Sequence, residues 1–227
     1  MDKRGKLILI EGLDRTGKST QCDYLHKVLL PGSQLFKFPN RNTAIGKIIN
    51  EYLTSGSEST SEAAKLSDQA IHLLFSSNRW ELQNTIKELL LHGTDVVLDR
   101  YVYSGIAYSM AKNIPGMDYS WCFNCDKGLI KPDLTIFFHN RSVEELSSRN
   151  DYGEEKYENK EFQETVFEKF MQVFVKHEQK TYQEKNLKML DVKGKSIEQV
   201  SQMLQNVVDK FTLEHNENGN NDFLYFT

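Results

Sequence analysis

The sequence predicts an α/β sandwich in which helices cover both faces of a parallel sheet. Short apolar runs of four to six residues alternate along the chain with longer stretches of helical character. Such runs are typical of strands buried on both faces, which is the usual situation in a parallel sheet. A glycine-rich segment lies between the first run and the first helical stretch. We therefore expect ligands to bind outside the carboxyl ends of the strands.

The predicted elements follow one another in a regular order. After the first strand and the glycine-rich segment, residues 19–30 predict a helix that stops before a Pro-Gly pair. The pattern from Ser59 to Glu62 is a capping box, which predicts a long helix from there toward residue 91, before Gly93. Five segments are predicted as strands: 6–11, 35–38, 95–99, 134–138 and 187–192.

Length and charge favour one domain that acts on small molecules. The chain of 227 residues can bury one full core, and no linker-like change of composition divides its first 210 residues, so residues 1–214 are expected to form a single domain. A net charge of −4 provides no basic surface, so nucleic acid is not expected as a partner. No apolar run approaches the roughly 18 residues of a bilayer span, and the start lacks the order of a signal peptide. We expect no membrane contact and a cytoplasmic protein, with nuclear residence left open.

Three segments stand apart from the alternation of strands and helices. Residues 215–227 have the composition of a flexible tail with an aromatic end, which predicts disorder or peripheral docking. The charged segment NDYGEEKYEN at 150–159 predicts either a solvated loop or a lid over phosphates. Cys122 and Cys125 form a C-x-x-C pattern without the second pair of a structural zinc site, so we expect reduced, structural thiols.

The segment EGLDRTGKST at 11–20 has the spacing of a loop that wraps phosphates. Gly12 and Gly17 allow backbone N–H groups to point inward, and the start of the next helix adds partial positive charge. Lys18 is expected to reach the β- and γ-phosphates, and the Ser19 hydroxyl to ligate Mg²⁺. The segment therefore predicts a binding site for a nucleoside triphosphate.

Other residues indicate phosphoryl transfer to an acceptor. Asp99 ends a predicted central strand, where an acid in phosphate-loop enzymes supports Mg²⁺ or its waters. A GTP-dependent switch would need an Asn-Lys-x-Asp base reader, and NKEF at 159–162 lacks the aspartate. An acceptor phosphate needs cations, and the planar fork of arginine suits this role. The candidates are Arg15, Arg41, Arg79 and Arg100.

An acid and a base inside the phosphate loop are expected to point in opposite directions. Polyphosphate would repel Asp14, which should face a neutral hydroxyl donor such as a sugar hydroxyl, or a nearby cation. Arg15 can then stabilise the transferring phosphoryl group as an arginine finger does. A local Asp14–Arg15 interaction is the alternative. On the long helix, Asn78 and Arg79 lie beside the apolar stripe, which indicates either a site or a salt bridge.

Six segments together carry a resemblance to a known family. They are EGLDRTGKSTQ at 11–21, FPNR at 38–41, HLLFSSNRWE at 72–81, DRYVYSGIAY at 99–108, KPDLTIFF at 131–138 and EKYENKEFQ at 155–163. They resemble the thymidylate kinases of eukaryotic type, over about residues 6–210. The resemblance implies ATP- and Mg²⁺-dependent phosphorylation of dTMP to dTDP in dTTP synthesis. It also implies the P-loop nucleoside-monophosphate-kinase fold, a three-layer sandwich with five parallel strands, a short lid at about 149–159, and a homodimer.

The resemblance further implies roles for individual residues. Asp14 would hold the sugar 3′-hydroxyl, Phe75 would stack on thymine, Arg79 would bond a base oxygen, and Tyr108 would crowd the place of a ribose 2′-hydroxyl. The expected catalytic residues are Arg15, Lys18 and Arg100. The expected ATP and phosphate ligands are Gly12, Arg15, Thr16, Gly17, Lys18, Ser19, Thr20 and Arg149. The expected dTMP site comprises Asp14, Phe38, Arg41, Phe75, Arg79, Arg100, Ser104, Gly105, Tyr108, Tyr157 and Gln163. The expected metal ligands are Ser19 and, through water, Asp99.

Two other functions fit parts of the sequence. A kinase for another deoxypyrimidine monophosphate or for a nucleoside would use the same phosphate loop. A nucleoside kinase would need a general base near the 5′-hydroxyl, and Glu11 is the candidate. A nucleotide-binding scaffold without turnover would be expected to lack Lys18, Arg15, Asp99 or Arg100, and all four are present.

Overall fold

The centre of the molecule is a five-stranded parallel sheet, seen in a computed structural model that describes residues 3–55, 61–140, 157, 159–218 and 221–227. Its strands are β1 (Leu7–Gly12), β2 (Gln34–Lys37), β3 (Val96–Asp99), β5 (Leu134–His139) and β6 (Leu187–Asp191). Their order is β2-β3-β1-β5-β6, and each pair is parallel. The predicted parallel sheet is confirmed, with every strand within one residue of its predicted bounds. A second, antiparallel pair joins β4 (Ile130–Lys131) to β7 (Leu224–Tyr225).

Helices cover the central sheet on both sides. In chain order they are α1 (Lys18–Tyr24), α2 (Ala44–Thr54), α3 (Asp68–Leu91), α4 (Val102–Ala111), α5 (Tyr119–Asn124), α6 (Lys160–Gln172), α7 (Lys180–Lys185) and α8 (Ile197–Asn218). Wider, π-helical turns at Leu25–Leu29 and Val173–His177 extend α1 and α6. The first helical segment therefore reaches the end predicted for it. Within the described part of the chain, no helix is both long enough and apolar enough to cross a membrane.

The central strand β1 shows why the strands read as continuous apolar runs. Successive side chains of a strand point to opposite faces of the sheet. Leu7 and Leu9 belong to the core that packs against α3, α4 and α6. Ile8 and Ile10 belong to the core on the other face, against α1 and α8. All four side chains are fully buried, so both faces require apolar residues and the sandwich has three layers.

The long helix α3 begins later than the sequence predicts. Its first residue is Asp68, because the Ser67 side chain accepts a hydrogen bond from the Ala70 backbone N–H and acts as the N-cap. Leu66, just before it, is extended and separates α3 from a short 3-10 turn at Ala63–Lys65. The predicted start at the Ser59 capping box is therefore wrong for this helix, and Ser59 itself lies outside the described residues.

For the C-terminal segment 215–227, the sequence left disorder and peripheral docking open. Helix α8 continues to Asn218, and residues 221–227 are docked on the body of the protein. Phe226 is buried among tyrosine and phenylalanine rings. Arg4 donates from Nε and Nη2 to the carbonyl oxygens of the first two residues of the docked segment, at 3.1 and 2.9 Å. Burial of the aromatic end and these bonds hold the segment in place.

The topology brings the loops after β1 and β3 to one edge of the sheet. β1 lies between β3 and β5, so the segments that leave the carboxyl ends of β1 and β3 are neighbours. The backbone N–H of Arg100, just after β3, donates to the carbonyl oxygen of Ile10 at 3.0 Å. Ligand sites of open α/β sheets lie at such an edge.

Candidate active site

The loop between β1 and α1 has the backbone conformation of a phosphate cradle. Gly12 has a φ of 149°, and a Cβ at this position would lie 2.3 Å from the carbonyl oxygen of Phe138. Arg15 and Gly17 adopt left-handed φ angles of 64° and 84°. Thr16 steadies the turn by donating from Oγ1 to the Leu13 carbonyl oxygen at 2.9 Å. The loop thus coils directly in front of α1, where backbone N–H groups and the helix dipole bind phosphate.

Lys18 is buried beneath this loop. Its Nζ donates to the Leu13 carbonyl oxygen and lies 3.5 Å from Thr16 Oγ1. Burial, together with the cation of Arg100, lowers the pKa of Lys18 to about 8, and nearby carboxylates limit the shift. An anion beside Nζ favours the charged form of the amine. The side chain is therefore placed to pair with a phosphate that enters the loop.

Two oxygen donors lie together at the mouth of the phosphate loop. Ser19 Oγ donates to Asp99 Oδ2 at 2.7 Å. Mg²⁺ takes oxygen ligands, and in nucleotide sites it uses one or two carboxylates with phosphates and water. Within the described ranges, no group of three or more His, Cys, Asp or Glu residues could hold a metal ion. A hydroxyl and one carboxylate beside a phosphate loop fit an ion whose other ligands come from the nucleotide.

Arg100 connects the phosphate loop with the helix that follows β3. Its guanidinium donates from Nη1 to the Gly12 carbonyl oxygen at 2.8 Å and to Ser104 Oγ at 3.0 Å. From Nη2 it donates to a carboxylate oxygen of Asp14. The guanidinium also lies over the ring of Tyr108, 5.2 Å from its centroid. These contacts place a cation at the junction between the loop and the rest of the cavity.

Asp14 points away from the phosphate cradle, as expected. Its Oδ2 accepts from the Tyr108 hydroxyl at 2.8 Å and from Gln163 Nε2 at 2.7 Å. Burial alone would raise the pKa of Asp14, but the cations of Arg100 and Lys18 hold the pKa below its ordinary value. Asp14 thus meets both partners that the sequence allowed, a neutral hydroxyl and a nearby cation. It is an ionised acceptor that a ligand hydroxyl can approach.

Glu11 serves the structure of α4. Its carboxylate accepts from the backbone N–H groups of Tyr101 at 2.9 Å and Ser104 at 3.0 Å, and from the Ser104 hydroxyl. Burial raises the pKa of Glu11, while Arg100 and the bonds from Ser104 oppose that rise. The first turn of a helix has unsatisfied N–H groups, and Glu11 satisfies two of them. Its oxygens are directed at α4, which does not favour a role as a general base.

The far end of the site contains a guanidinium that is already neutralised. Arg79, on α3, donates from Nε to Asp126 Oδ1 at 3.0 Å and from Nη2 to Oδ2 at 2.6 Å. Both side chains are buried, at 2% and 0% exposure. Phe75 lies one turn earlier on α3, and Gly105 lies so close that a Cβ there would be 2.8 Å from the guanidinium. This end offers an aromatic ring and an N–H donor without net charge.

The side-chain amide of Asn78, next to Arg79 on α3, fixes the loop that carries Arg41. The side chain is fully buried, and its Oδ1 accepts from the Asn40 backbone N–H at 2.7 Å. Its Nδ2 donates to Thr43 Oγ1 at 2.9 Å. The loop fixed in this way carries Arg41, whose Nη1 donates to Asn50 Oδ1 at 3.0 Å. Asn78 therefore positions the loop that places Arg41 at the site.

A cavity of about 780 Å³ connects the two ends of the site. It runs from the phosphate loop, past Arg100 and Asp14, to Phe75 and Arg79. Tyr157 closes part of its wall, with its ring 5.8 Å from that of Tyr108. The volume is that of a site for a small organic ligand. The arrangement suits two phosphorylated ligands that meet at Arg100.

Comparison with known proteins agrees with this geometry. The family model described as Thymidylate kinase matches residues 10–204. The chain belongs to the thymidylate kinase family. A thymidylate kinase of Dictyostelium discoideum is 50% identical over 171 residues, which cover 73% of this chain and 72% of the relative. That of Schizosaccharomyces pombe is 44% identical over 214 residues, covering 92% and 94%. A solved structure of thymidylate kinase from Candida albicans is 42% identical, with a TM-score of 0.84 over all of both chains.

Most of the site residues predicted from the sequence line the cavity. They are Asp14, Arg15, Gly17, Lys18, Ser19, Thr20, Phe38, Arg41, Phe75, Arg79, Asp99, Arg100, Ser104, Gly105, Tyr108 and Tyr157. Gly12, Thr16 and Gln163 stand directly behind its wall and bond to lining residues. Arg149 and most of the predicted lid at 149–159 lie outside the described residues.

Sequence reasoning missed two parts of this kinase site. Lys112 lines the cavity, with Nζ 2.9 Å from Asp68 Oδ1 and 5.2 Å from the Tyr157 ring centroid. The sequence could have indicated Lys112 as a site residue, because it follows Tyr108 by four residues and so lies on the same side of α4. Asp126 gave no local signal, since its partner Arg79 is 47 residues away in the chain.

Proposed function

We propose that this chain transfers the γ-phosphoryl group of ATP to the phosphate of dTMP and releases dTDP and ADP. The observation that carries the proposal is the polarity of the cavity. One end has a phosphate loop with buried Lys18, and the other has an aromatic ring beside the neutralised guanidinium of Arg79. Arg100 lies between them. Such a cavity holds a triphosphate and a pyrimidine monophosphate with their phosphates facing each other.

Catalysis rests on positioning and charge. The acceptor is a phosphate that is already ionised at neutral pH, so the reaction needs no general base. Lys18 and Arg15 neutralise the donor phosphates, while Arg41 and Arg100 hold the acceptor phosphate. Holding both groups in line, away from water, accounts for large rate enhancements in phosphoryl transfer. Tyr157, on the cavity wall beside Tyr108, helps to exclude water.

The same geometry supports Mg²⁺ as the metal. Ser19 and Asp99 are the residues that would hold it, Ser19 directly and Asp99 through water, with Ser19 Oγ and Asp99 Oδ2 2.7 Å apart. When bound, the ion neutralises charge on the β- and γ-phosphates. Asp99→Asn is expected to raise the Mg²⁺ concentration needed for half-maximal turnover at a fixed concentration of ATP.

The sugar and base contacts favour thymidine nucleotides. Asp14 accepts the 3′-hydroxyl, since it is ionised and already accepts a hydroxyl group from Tyr108. The Tyr108 ring occupies the side of the cavity next to Asp14, where a ribose 2′-hydroxyl would lie. Phe75 stacks on the base and Arg79 donates to its carbonyl oxygen. The site therefore selects a deoxynucleotide with a 4-oxo pyrimidine.

The test is ADP formation from MgATP by the purified chain with a panel of acceptors at matched concentrations: dTMP, dUMP, UMP, dCMP, AMP and thymidine. We expect turnover with dTMP at least about 100-fold above that with UMP. Activity with thymidine alone would instead support a nucleoside kinase. The hydrogen bonds that Glu11 accepts from Tyr101 and Ser104 already argue against that function, because they occupy its candidate general base. If folded protein that binds ATP formed no ADP with any acceptor, the result would support a nucleotide-binding scaffold without turnover.

Assembly and location belong to the same proposal. A homodimer is supported by two large apolar residues one heptad apart on α3, Leu73 and Trp80, which are 47% and 41% exposed. Light scattering at micromolar concentration would measure the mass, and a monomer at all concentrations would contradict the dimer. Cytoplasmic or nuclear residence is a further prediction, which imaging of the tagged full chain would decide.

A further inference from the structure

The Arg79–Asp126 pair has a geometry that fixes which edge of the guanidinium faces the ligand. Asp126 engages Nε and Nη2, the two groups along one edge. Two parallel bonds of this kind prevent rotation of the planar fork. Gly105 lines the cavity next to the same guanidinium, and a Cβ on it would lie 2.8 Å from both Nη1 and Nη2. The end of the guanidinium formed by Nη1 and Nη2 therefore faces the cavity wall at Gly105, and Asp126 engages the Nε edge beside it.

Asp126 is itself held in a rigid, dry setting. It is fully buried, and its Oδ1 accepts from the Ser76 hydroxyl at 2.7 Å. Ser76 is on α3, one turn before Arg79. Trp80, the next residue of the helix, donates from Nε1 to the carbonyl oxygen of Cys125 at 2.8 Å. The segment that follows α5 is thus fastened to α3 at several points, and the carboxylate has one orientation.

The charge of the pair matters as much as its orientation. A buried guanidinium beside a buried carboxylate is neutral overall, so it attracts a phosphate far less than an uncompensated arginine would. It remains a donor with no acceptor atom. It can bond the 4-oxo group of thymine or uracil, but it meets only another donor in the 4-amino group of cytosine. Orientation and neutrality together define a reader of a carbonyl oxygen.

We propose that Asp126 is the positioning residue that sets base selectivity in this kinase, acting through Arg79 with the support of Ser76. This inference rests on the proposed function, because it assigns Arg79 to the base. Asp126 touches no substrate. Without its carboxylate, Arg79 keeps a buried charge, and its guanidinium can turn away from the base toward phosphate or solvent.

The test compares dTMP with dCMP in the wild type and in Asp126→Asn. The asparagine keeps the volume but loses the charge, and its amide N–H₂ opposes Nη2. We expect the ratio of kcat/KM for dTMP over dCMP to fall by about 10- to 100-fold, mainly through a higher KM for dTMP. kcat at saturating dTMP should stay within about threefold, since the phosphate end is unchanged. Asp118→Asn, on the N-cap of α5 with no contact to Arg79, is the matched control and should keep the wild-type ratio.

A double-mutant cycle separates positioning from a general effect on the fold. In an Arg79→Gln background, adding Asp126→Asn should leave base selectivity unchanged, because the residue through which Asp126 acts is gone. A further loss of selectivity in that background would overturn the inference. If Asp126→Asn does not fold, Ser76→Ala carries the test, and an unchanged ratio in Ser76→Ala would equally overturn it.

Failure of the inference and failure of the proposed function give different results. An active wild type whose dTMP-to-dCMP ratio survives Asp126→Asn rejects the role of Asp126 alone. A wild type that phosphorylates neither nucleotide rejects the proposed function. In that case, calorimetric affinities for dTMP and dCMP test the role of Asp126 without turnover. The role is supported if the wild type binds dTMP more tightly than dCMP and Asp126→Asn loses that preference, and it is rejected if Asp126→Asn keeps it.

Discussion

The two ends of the cavity use the same kind of side chain for opposite purposes. At the phosphate end, the lining cations Arg15, Lys18, Lys37, Arg41 and Arg100 outnumber the two lining carboxylates, Asp14 and Asp99. At the base end, the charge of Arg79 is matched by a carboxylate that is fully buried. An excess of positive charge attracts phosphate, whereas a neutral pair leaves only a directional donor. The function of an arginine here depends on the balance of charge around it, since Arg100 also bonds the carboxylate of Asp14 but lies among further cations, whereas the charge of Arg79 is balanced by Asp126.

The two ends also differ in how they are built. The phosphate end is a continuous loop and the first turn of a helix, and its geometry follows from left-handed backbone conformations at Arg15 and Gly17. The base end joins α3 to the segment after α5 through Arg79, Asp126 and Ser76. Local backbone shape creates the first, and tertiary packing creates the second. Substitutions should therefore affect turnover at one end and affinity or stability at the other.

The largest effect is expected from Arg15→Ala at the phosphate end. In the proposed mechanism Arg15 neutralises the transferring group, and an arginine finger contributes about 10³-fold or more to kcat. We expect kcat to fall by about 10³-fold, while the KM for dTMP changes by less than about threefold. Steady-state kinetics at saturating MgATP would measure both. Lys27→Ala, an exposed change in the turn that extends α1, is the control. Equal losses in kcat and in dTMP affinity would contradict a role in the transition state.

Stability should depend on pH through the support of the base end. His72 is fully buried, with Nδ1 2.7 Å from Ser109 Oγ and Nε2 2.8 Å from the Cys122 carbonyl oxygen. Burial, with the nearby cation of Arg79, lowers the pKa of His72 from 6.5 to about 4. Below pH 6.5 the unfolded chain binds a proton that the folded chain excludes until about pH 4. Stability due to neutral His72 is thus complete above this window and is lost as the pH falls through it.

Urea unfolding across this window would measure the effect. The loss should reach about 3 kcal/mol of unfolding free energy for a pKa depressed by this amount. In His72→Gln, the free energy of unfolding should decline less with falling pH, by this amount. His92→Gln, a change at an exposed histidine, should behave like the wild type. A wild-type slope that His72→Gln leaves unchanged would place the pH dependence elsewhere, on carboxylates that titrate in the same range.

The sequence predicted the fold and the phosphate end for the same reason. Strands buried on both faces appear as short apolar runs, and the phosphate loop is contiguous, so both leave a local pattern. Helix α3 shows the limit, because the Ser59 capping box looked like its start, whereas the Ser67 cap and the extended Leu66 delay it. A local pattern cannot reveal which of two competing caps the tertiary structure uses.

The base end could not be derived from local patterns. Asn78 and Arg79 were conspicuous on an otherwise apolar face, and the resemblance gave Arg79 its role. Asp126 and Ser76 were not identified, since the partners of Arg79 are defined by the packing of α3 against the segment after α5. The place at which the C-terminal segment docks could not be predicted for the same reason, because Arg4 bonds to a residue 217 positions away.

A smaller effect is expected from Gly105→Ala at the base end. The new Cβ would lie 2.8 Å from the Arg79 guanidinium, which cannot give way easily because Asp126 holds it. Overpacking of this kind costs about 1–3 kcal/mol, so the affinity for dTMP should fall by about 10-fold. Calorimetry would measure dTMP and ATP binding, and ATP affinity should not change. In an Arg79→Ala background the same change should have little further effect, and a full additional loss would show that the Cβ acts elsewhere.

The smallest effect, and the one that sets the two ends directly against each other, is the response to salt. Screening weakens attraction between partly exposed charges and has little effect on a buried neutral pair. The affinity for dTMP should therefore fall by about three- to fivefold between low and high potassium chloride, while that for thymidine, which lacks the phosphate, should change by less than about twofold. Titration of each ligand, with ATP absent, would measure both. If the affinity for thymidine showed the same salt dependence as that for dTMP, the base end would have to carry net charge. That result would contradict the neutrality of the Arg79–Asp126 pair, on which the contrast between the two ends depends.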